Sequence, residues 1–386
     1  MSVYFITGAT GAVGSAVAAR LLAEPDIQLI ALVRGDSHAA ALARLDGALA
    51  PLVAGHAQIP GEGRVRAMTG DAQAPRFGLS PADYIALERE CTHVIHCAGA
   101  VRMNLPIDAA RDAAVASSRN VIELAQRLAA ANRLHKVEMV STVGVAGRAH
   151  RLLREEWVGA GHAFHNTYEQ AKAEAELGMR QAVDAGLPLT VHRPSMVIGD
   201  SRTGYAQHFQ VFYFLLEFLS GRRTGGIFPD LGDAHLDIVP ADFVAEAIVR
   251  SSQSAATRGR ILHLCGGPAA AIPLDRLQAI VRETLARRGE VLPRIRSVPR
   301  AWFRHGAGAL RWLVNKRARA ALGTLPVFLD YLDTEQAFDN TLTREWLARE
   351  GIVLPHPDAY LARVLDFYFD ARASSRSAKT DDTAHA

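Results

Sequence analysis

Near its N-terminus the chain reads Thr7-Gly8-Ala9-Thr10-Gly11-Ala12-Val13-Gly14, between an apolar run, Val3–Thr7, and an amphipathic stretch, Ala12–Ala23. The run predicts a strand and the stretch predicts a helix. Glycines let the backbone turn tightly between them, and a helix start presents free N–H groups and a positive dipole end. The spacing is Gly-x-x-Gly-x-x-Gly rather than the commoner Gly-x-Gly-x-x-Gly. In this setting it predicts a nucleotide pyrophosphate site, formed by Gly8, Thr10, Gly11, Ala12, Val13 and Gly14.

Short apolar runs alternate with helical patterns over the first two-thirds of the chain, which is typical of a parallel sheet wrapped by helices. Predicted strands cover residues 3–7, 28–33, 64–69, 93–96, 136–141, 189–193 and 261–265. Predicted helices include residues 12–23, 109–130 and 167–185. The fold class is therefore α/β, a Rossmann doubly wound parallel sheet with a smaller, mainly helical C-terminal substrate domain.

The pattern of the chain changes after residue 199. We expect residues 1–199, joined by 234–265, to form the nucleotide-binding domain, and residues 200–233 with 266–372 to form the substrate-binding domain. The apolar and aromatic stretch 208–219 predicts either the wall of an acyl pocket or a helix packed in the core. The small, polar residues 373–386 predict a disordered tail.

Composition bears on several classes of protein. The chain is 49% hydrophobic and 22% charged, which is ordinary for a globular protein, and its net charge of +3 is too small to predict nucleic-acid binding. Its cysteines, Cys91, Cys97 and Cys265, are too far apart to suggest disulfides or a metal site. No apolar stretch approaches the roughly 20 residues that a membrane span requires. The N-terminus lacks the features of a secretion signal, so we expect a cytoplasmic protein.

The end of the second predicted strand, Leu32-Val33-Arg34-Gly35, indicates which nucleotide binds. A site for NAD usually places an acidic residue there, on the ribose 2′-hydroxyl. The chain instead has Arg34, followed by Arg44 after one helical stretch. A guanidinium suits a 2′-phosphate because it makes paired, charge-assisted hydrogen bonds. We therefore expect NADP(H), although a surface arginine at a strand end is the alternative.

Tyr168 and Lys172 are four residues apart, on one face of a predicted helix. A phenol has a pKa near 10, and a nearby ammonium is expected to lower that pKa. The pair is common by chance, but Thr142 ends a predicted strand one crossover upstream. Its hydroxyl could hydrogen-bond a substrate oxygen. The three residues predict a catalytic triad.

Taken together, these motifs resemble those of the extended short-chain dehydrogenase/reductases, and within them the thioester-reductase and fatty acyl-CoA reductase branch. The resemblance covers the chain to about residue 370, through segments that include Gly70-Asp71, 94–99, 140–145, 166–176, 193–195, 199–204 and 236–242. It implies that Tyr168 is the general acid, that Lys172 binds the nicotinamide ribose and that Thr142 orients the carbonyl. It also implies further cofactor contacts at Gly70, Asp71, Ala98, Gly99, Ala100, Arg193, Pro194 and Ser195.

One segment departs from the pattern of these relatives. They usually carry Asn-Val-x-Gly-Thr in the helix before the catalytic strand, whereas this chain has Ala114-Val115-Ala116-Ser117-Ser118. The missing Asn and Gly put the packing of that helix and a water relay in doubt. The triad is unaffected.

The resemblance implies an NADPH-dependent reductase of an acyl thioester, bound to coenzyme A or to an acyl carrier protein. The product is an aldehyde, and a second hydride transfer could give the alcohol. The alternatives are a ketone or aldehyde reductase for a hydrophobic small molecule, a sugar-nucleotide epimerase or dehydratase, and a non-catalytic NADPH-binding protein. Epimerases of this superfamily tend to hold NAD, which Arg34 disfavours. Non-catalytic relatives typically lose the tyrosine or the lysine, and this chain keeps both.

Residues 282–319 are rich in arginine, and Arg300, Arg304 and Arg311 fall near one predicted helical face. A cationic helix can steer coenzyme A phosphates or an acidic carrier protein toward the enzyme. It can also rest peripherally on an anionic membrane. A plain solvated surface is the simplest alternative.

Overall fold

A computed structural model describes residues 2–53, 63–103, 105–148, 152–159, 161–222, 224–300, 302 and 336–384, with side chains up to residue 374. The chain divides into two compact units. The first consists of Met1–Val197, Val239–Cys265 and Phe338–Leu354. The second consists of Ile198–Ile238, Gly266–Ala337 and Pro355–Ala386.

The secondary structure follows the predicted alternation of strands and helices. The strands are β1 (Ser2–Thr7), β2 (Ile27–Val33), β3 (Val65–Thr69), β4 (His93–His96), β5 (Lys136–Val140), β6 (Leu152–Leu153), β7 (Leu189–Pro194), β8 (Met196–Ile198), β9 (Ile227–Pro229), β10 (His235–Leu236), β11 (Ile238–Pro240), β12 (Ile261–Leu264), β13 (Ile272–Pro273), β14 (Arg296–Val298) and β15 (Ala337–Phe338). The α-helices are α1 (Ala12–Leu22), α2 (His38–Val53), α3 (Pro81–Glu90), α4 (Ile107–Arg111), α5 (Ser117–Ala130), α6 (Thr167–Asp184), α7 (Val211–Leu219), α8 (Ala241–Ser252), α9 (Leu274–Arg287), α10 (Thr341–Arg349) and α11 (Pro357–Ala384).

The first unit is built on a seven-stranded sheet in the order β12-β7-β5-β4-β1-β2-β3. Every neighbouring pair in this sheet is parallel. The strand order reverses between β1 and β4, and ligands of open α/β sheets bind at such a point, beyond the carboxyl ends of the strands. The predicted Rossmann class is confirmed.

Strand β1 shows how the sheet obtains a core on each face. Successive side chains of a strand point to opposite faces. Tyr4 and Ile6 pack on one face, with residues of α1 and α8, whereas Val3 and Phe5 pack on the other, with residues of α5 and α6. Because both faces are covered by helices, the strand is apolar throughout.

Ion pairs and aromatic packing hold the helices of the second unit together. Arg276 and Arg288 of α9 pair with Asp358 and Asp370 of α11, at 2.9 and 2.6 Å. In the predicted aromatic stretch, Phe212 and Tyr213 are buried, whereas Phe214 is 62% exposed. The buried rings favour the core-packing interpretation of α7 for those residues, and the acyl pocket stays a prediction.

Some features differ from the expectations. Helix α11 continues to Ala384, through residues for which a disordered tail is predicted, and Phe338–Leu354 lies in the first unit rather than in the second. Arg304 and Arg311 lie outside the described residues. Arg300 donates hydrogen bonds of 2.7 Å to the carbonyl oxygens of Asp230 and Leu231, which are 70 and 69 residues away along the chain. No helix in the described part of the chain is long and apolar enough to cross a bilayer.

Candidate active site

The predicted site residues of the first unit lie at one edge of the seven-stranded sheet. They follow the carboxyl ends of β3, β2, β1, β4, β5 and β7, or lie on the helices α1, α2 and α6. The parallel order of the strands brings these ends side by side. Residues far apart in the sequence therefore share one edge.

The turn between β1 and α1 is a tight backbone cradle. Gly8 has a φ of +77°, and a Cβ built there would lie 2.5 Å from the backbone nitrogen of Ala98. A Cβ on Gly14 would lie 2.1 Å from the carbonyl oxygen of Gly8. Helix α1 follows its N-cap Gly11 without a side-chain cap. The free N–H groups of a helix start can thus bind an anion, and the cradle fits a nucleotide pyrophosphate.

The ends of β2 and β3 carry the predicted adenosine-side residues. The Arg34 and Arg44 side chains are exposed, and the Arg44 guanidinium donates to the carbonyl oxygen of Arg34. The two cations therefore share the end of β2. Gly70 follows β3, and a Cβ on it would lie 2.4 Å from the carbonyl oxygen of Phe77. The next residue, Asp71, is fixed by its N–H, which donates to that same oxygen at 2.9 Å.

A buried histidine links the glycine turn to the end of β4. His96 Nδ1 lies 2.7 Å from the Thr7 hydroxyl, which accepts from the N–H of Ala98 at 3.3 Å. On the other side, His96 Nε2 lies 3.3 Å from the Ser117 hydroxyl. Burial lowers the pKa of His96 to about 3, so the ring is neutral at physiological pH. This chain of hydrogen bonds fixes the backbone that leads into Ala98, Gly99 and Ala100.

The segment that departs from the relatives forms a π-helical turn, Asp112–Ala116, between α4 and α5. A π-turn leaves helix carbonyl groups out of the regular ladder. The Ser117 hydroxyl donates to the Ala113 carbonyl oxygen at 2.7 Å, so its oxygen is left to accept from His96 Nε2–H. The serine at the position where relatives carry glycine is therefore part of the His96 chain of hydrogen bonds.

Thr142, Tyr168 and Lys172 meet where β5 ends against α6. The Thr142 hydroxyl lies beside Tyr168 and lowers the pKa of its phenol, and Thr142 Oγ1 accepts from the N–H of Gly144 at 3.1 Å. The Lys172 ammonium donates to the carbonyl oxygen of Val140 at 2.9 Å, and a Cβ on Gly99 would lie 3.3 Å from Lys172 Nζ. The three predicted triad residues are thus close together, next to the predicted ribose contacts.

The protonation of these groups is set mainly by burial. Burial raises the pKa of Tyr168 to about 12, and the nearby Thr142 hydroxyl opposes the rise only in part. The expectation that Lys172 lowers this pKa is therefore not met in the protein without its cofactor. Burial also lowers the pKa of Lys172 to about 8, against the attraction of the Glu176 carboxylate. At neutral pH Tyr168 carries its proton and Lys172 is mostly charged.

The start of α6 is fixed by a reciprocal cap. The Asn166 side chain accepts from the N–H of Glu169 at 3.0 Å, and the Glu169 carboxylate accepts from the N–H of His165 at 3.0 Å. The Asn166 N-cap thus satisfies an N–H group that a helix start leaves free, and Glu169 fixes the residue before the cap. The cap holds the first turn of the helix, which carries Tyr168.

The end of β7 differs from the expectation for cofactor contacts. Arg193 is fully buried, and its guanidinium donates to both oxygens of Glu176, at 2.9 and 2.5 Å. Its third nitrogen lies 3.2 Å from His263 Nε2, so the side chain is committed inside the protein. Pro194 is the last residue of β7, and the buried Ser195 hydroxyl makes no hydrogen bond with any residue that the structure describes. Ser195 is thus the residue of this group that fits a polar ligand.

Sequence reasoning assigned no role to Glu176, Ser141 or His263. Glu176 lies one helical turn beyond Lys172, on the face that carries the triad, and this spacing was the available signal. Ser141 bonds to Glu176 from 35 residues away along the chain, and His263 faces Arg193 from 70 residues away. Nothing local in the sequence predicts those pairings.

Residues 6–248 match the model of an NAD-binding family described as Male sterility protein. Among curated proteins, the isonitrile lipopeptide synthase of Streptomyces coeruleorubidus is 32% identical over 247 residues, which are 64% of this chain and 16% of that protein. The L-2-aminoadipate reductase of Saccharomyces cerevisiae is 28% identical over 263 residues, which are 64% of this chain and 18% of that enzyme. The chain thus spans less than a fifth of these two curated relatives.

Solved structures cover much more of the chain. The terminal R domain from the myxalamid PKS-NRPS biosynthetic pathway is 26% identical, with a TM-score of 0.79, over 97% of this chain and 91% of that chain. A thiolation-reductase di-domain from an archaeal non-ribosomal peptide synthetase has the same fold, with a TM-score of 0.73 and 19% identity, over 96% and 76%. The chain therefore belongs to the NAD-binding family described as Male sterility protein, in the thioester-reductase branch of the extended short-chain dehydrogenase/reductases, which are NAD(P)-dependent oxidoreductases.

Proposed function

We propose that this protein reduces an acyl thioester to an aldehyde, with NADPH as the reductant. The observation that carries the proposal is the Thr142 hydroxyl beside Tyr168, with the buried Lys172 held at the Val140 carbonyl oxygen at 2.9 Å. It places two hydroxyl groups and a cation at the carboxyl edge of a nucleotide-binding sheet. The relatedness to a terminal R domain and to an aminoadipate reductase supports an acyl substrate.

The residues present fit a nicotinamide dinucleotide. The Gly8–Gly14 cradle suits the pyrophosphate, Lys172 and Gly99 suit the nicotinamide ribose, and the unpaired Ser195 hydroxyl suits a polar group at that end. When bound, the reduced cofactor supplies a hydride to the substrate carbonyl carbon. Every other contribution comes from side chains of this chain.

Thr142 and Tyr168 act on the oxygen of that carbonyl. Hydroxyl donors aimed at an oxygen that gains negative charge stabilise the transition state. Because its pKa is raised to about 12, the Tyr168 phenol keeps its proton at neutral pH and can donate it to the oxygen. A general acid that remains protonated suits reduction rather than oxidation. Loss of the thiol from the resulting hemithioacetal then yields the aldehyde.

Arg34 and Arg44 support a preference for NADP(H) over NAD(H). Two exposed guanidinium groups share the end of β2, where an acidic residue would favour a free ribose 2′-hydroxyl. A 2′-phosphate there would gain two cationic partners.

A carrier-borne thioester is the substrate form that we favour over a coenzyme A ester. The R domain at 26% identity is the terminal one of a PKS-NRPS biosynthetic pathway, and the lipopeptide synthase is a much longer protein than this chain. Peptides and polyketides on such assembly lines are held as thioesters.

The test is NADPH oxidation, followed at 340 nm, with each substrate in a matched set and with product identification. The set presents the same acyl chain in four forms: as a carrier-protein thioester, a coenzyme A thioester, an aldehyde and a free acid. An unrelated hydrophobic ketone is the fifth substrate. We expect turnover and aldehyde product from a thioester, and none from the free acid, because a carboxylate is a poor hydride acceptor. Turnover of the ketone alone would replace the proposal with a ketone reductase.

A further inference from the structure

Three consecutive residues at the end of β5 each lie next to a residue of α6. The Val140 carbonyl oxygen accepts from Lys172, the Ser141 hydroxyl donates to Glu176 at 2.5 Å, and the Thr142 hydroxyl lies beside Tyr168. Residues four apart on a helix lie on one face. One face of α6 therefore contacts the short segment 140–142. Glu176 lies on this face two helical turns from Tyr168, the residue proposed to act on the substrate oxygen.

Glu176 also binds the next strand of the sheet. Both of its oxygens accept from the Arg193 guanidinium of β7, and both side chains are almost completely buried. Arg193 in turn donates to the carbonyl oxygen of Glu156 at 3.0 Å and faces His263 Nε2 at 3.2 Å. His263 Nδ1 lies 2.7 Å from the Asp339 carbonyl oxygen, so Nδ1 holds the proton and Nε2 accepts from Arg193.

A buried ion pair adds little to stability compared with apolar residues of the same shape, because both charges are desolvated. This pair nevertheless has its hydrogen bonds satisfied on both sides, by Ser141, Glu156 and His263. Such a rigid, fully bonded arrangement suits a positioning role better than a purely stabilising one.

We propose that Glu176 and Arg193 are positioning residues for the triad, because they lock α6 and the end of β5 onto β7. This inference rests on the roles proposed above for Thr142, Tyr168 and Lys172. Neither residue touches the substrate. The Glu176 carboxylate additionally favours the charged form of Lys172, one helical turn away. Its hydrogen bond with Ser141 fixes the backbone next to Thr142.

The test compares Glu176→Gln and the double variant Glu176→Gln with Arg193→Met against the control Glu174→Gln. The first keeps the shape of the side chain and removes its charge, and the second also removes the partner charge so that no unpaired cation stays buried. The control breaks a similar paired contact on the same helix, between Glu174 and Arg111 at 2.7 and 2.9 Å, which is more exposed. It therefore separates the loss of any ion pair on α6 from the loss of this one.

The first measurement is the pKa of Lys172 in the cofactor-free protein, by NMR of ¹³C-labelled lysine. The chain has only the lysines Lys136, Lys172, Lys316 and Lys379, so the spectrum is simple. We expect the Lys172 pKa, about 8 in the parent, to fall by about one pH unit in Glu176→Gln. The double variant should show a smaller fall, because the loss of the Arg193 charge offsets part of the change. Glu174→Gln should leave this pKa where it is.

The second measurement is the pH dependence of thioester turnover. If charged Lys172 is required, kcat decreases as pH rises through its pKa, so a lower pKa moves this alkaline limb to lower pH. We expect that movement in both Glu176 variants, together with a roughly tenfold lower kcat at neutral pH and a smaller change in KM. The Glu174→Gln limb should coincide with that of the parent.

Two results would overturn the proposal. One is folded Glu176 variants whose Lys172 pKa and alkaline limb match the parent. The other is unfolding of both variants, by circular dichroism, while Glu174→Gln folds, because the pair would then be a stability element. The lysine spectrum is recorded without substrate or cofactor, so it tests the pair even if the thioester assay fails.

Discussion

One half of the active-site edge is formed by backbone atoms, and the other half is formed by side chains. At the ends of β1 and β3, the site is shaped by backbone, and a single added Cβ on Gly8, Gly14 or Gly70 would meet other backbone atoms at 2.1–2.5 Å. At the ends of β5 and β7 it is shaped by side chains, which bury Lys172, Glu176 and Arg193 at 5% exposure or less. The first half depends on the absence of a Cβ at its glycines. The second half depends on contacts between side chains that are far apart in the sequence.

This difference has a functional reason. A pyrophosphate is recognised by N–H groups at a helix start, which every residue offers, so the requirement there is close approach. Proton transfer needs particular groups with particular protonation states. A substitution in the first half should therefore affect cofactor binding, and one in the second half should affect turnover.

The largest effect is expected from Tyr168→Phe. The substitution removes the phenol hydroxyl, which is the proposed proton donor beside Thr142. Turnover of thioesters should fall by at least ~10²-fold, the usual contribution of a general acid. The Kd for NADPH, measured by fluorescence titration, should change little because the cradle is untouched. Near-normal turnover in this variant on every accepted substrate would show that the triad assignment is wrong.

Gly8→Ala, in contrast to Tyr168→Phe, should weaken NADPH binding. The new Cβ would lie 2.5 Å from Ala98 N and 2.6 Å from Cys97 C, both backbone atoms, at a φ of +77° that L side chains rarely adopt. The strain costs about 1–3 kcal/mol, so NADPH should bind roughly ten- to a hundredfold more weakly. Thermal unfolding and the same titration measure the two effects.

Gly47→Ala is the matched control for this substitution. Gly47 lies inside α2, and a Cβ there would have nothing within 4 Å. It should leave NADPH binding unchanged and stabilise the helix by about 0.5–1 kcal/mol. If Gly8→Ala binds NADPH as tightly as Gly47→Ala does, the turn is not a cofactor cradle.

The same comparison explains which features could be predicted from the sequence. The glycine turn and the strand ends are local, so spacing within about ten residues was enough. The Arg193 contacts depend on Glu176, 17 residues away, and on His263, 70 residues away. The motif match predicted Arg193 as a cofactor contact because the residue lies at the end of a strand. Its distant partners could not be predicted from the sequence.

The helices whose bounds were not predicted have local explanations as well. Helix α2 contains Gly47 and Pro51, which weaken a helical pattern, and α3 is a ten-residue helix that buries only Tyr84 and Leu87. The π-helical turn at Asp112–Ala116 arises where the sequence departs from its relatives. The departure could be noticed, but the turn and its Ser117 bond required the structure.

The smallest effect is expected from Arg34→Ala with Arg44→Ala, since these side chains are exposed and lie at the margin of the backbone-shaped half. Among the proposed contacts to the cofactor, the substitutions remove only those to the 2′-phosphate, so the KM for NADPH should rise while that for NADH stays nearly constant. Screening by solvent limits the change in the ratio of the two constants to roughly tenfold. The control is Arg66→Ala on β3, which breaks an exposed ion pair with Glu90 of α3 and should leave the ratio of the two constants unchanged. Equal rises in both constants would assign Arg34 and Arg44 to the structure of the β2 end, and a parent enzyme that prefers NADH would contradict the proposed cofactor. If the ratio changes as expected, side chains contribute to the first half of the site only where the nucleotide itself carries an extra charge.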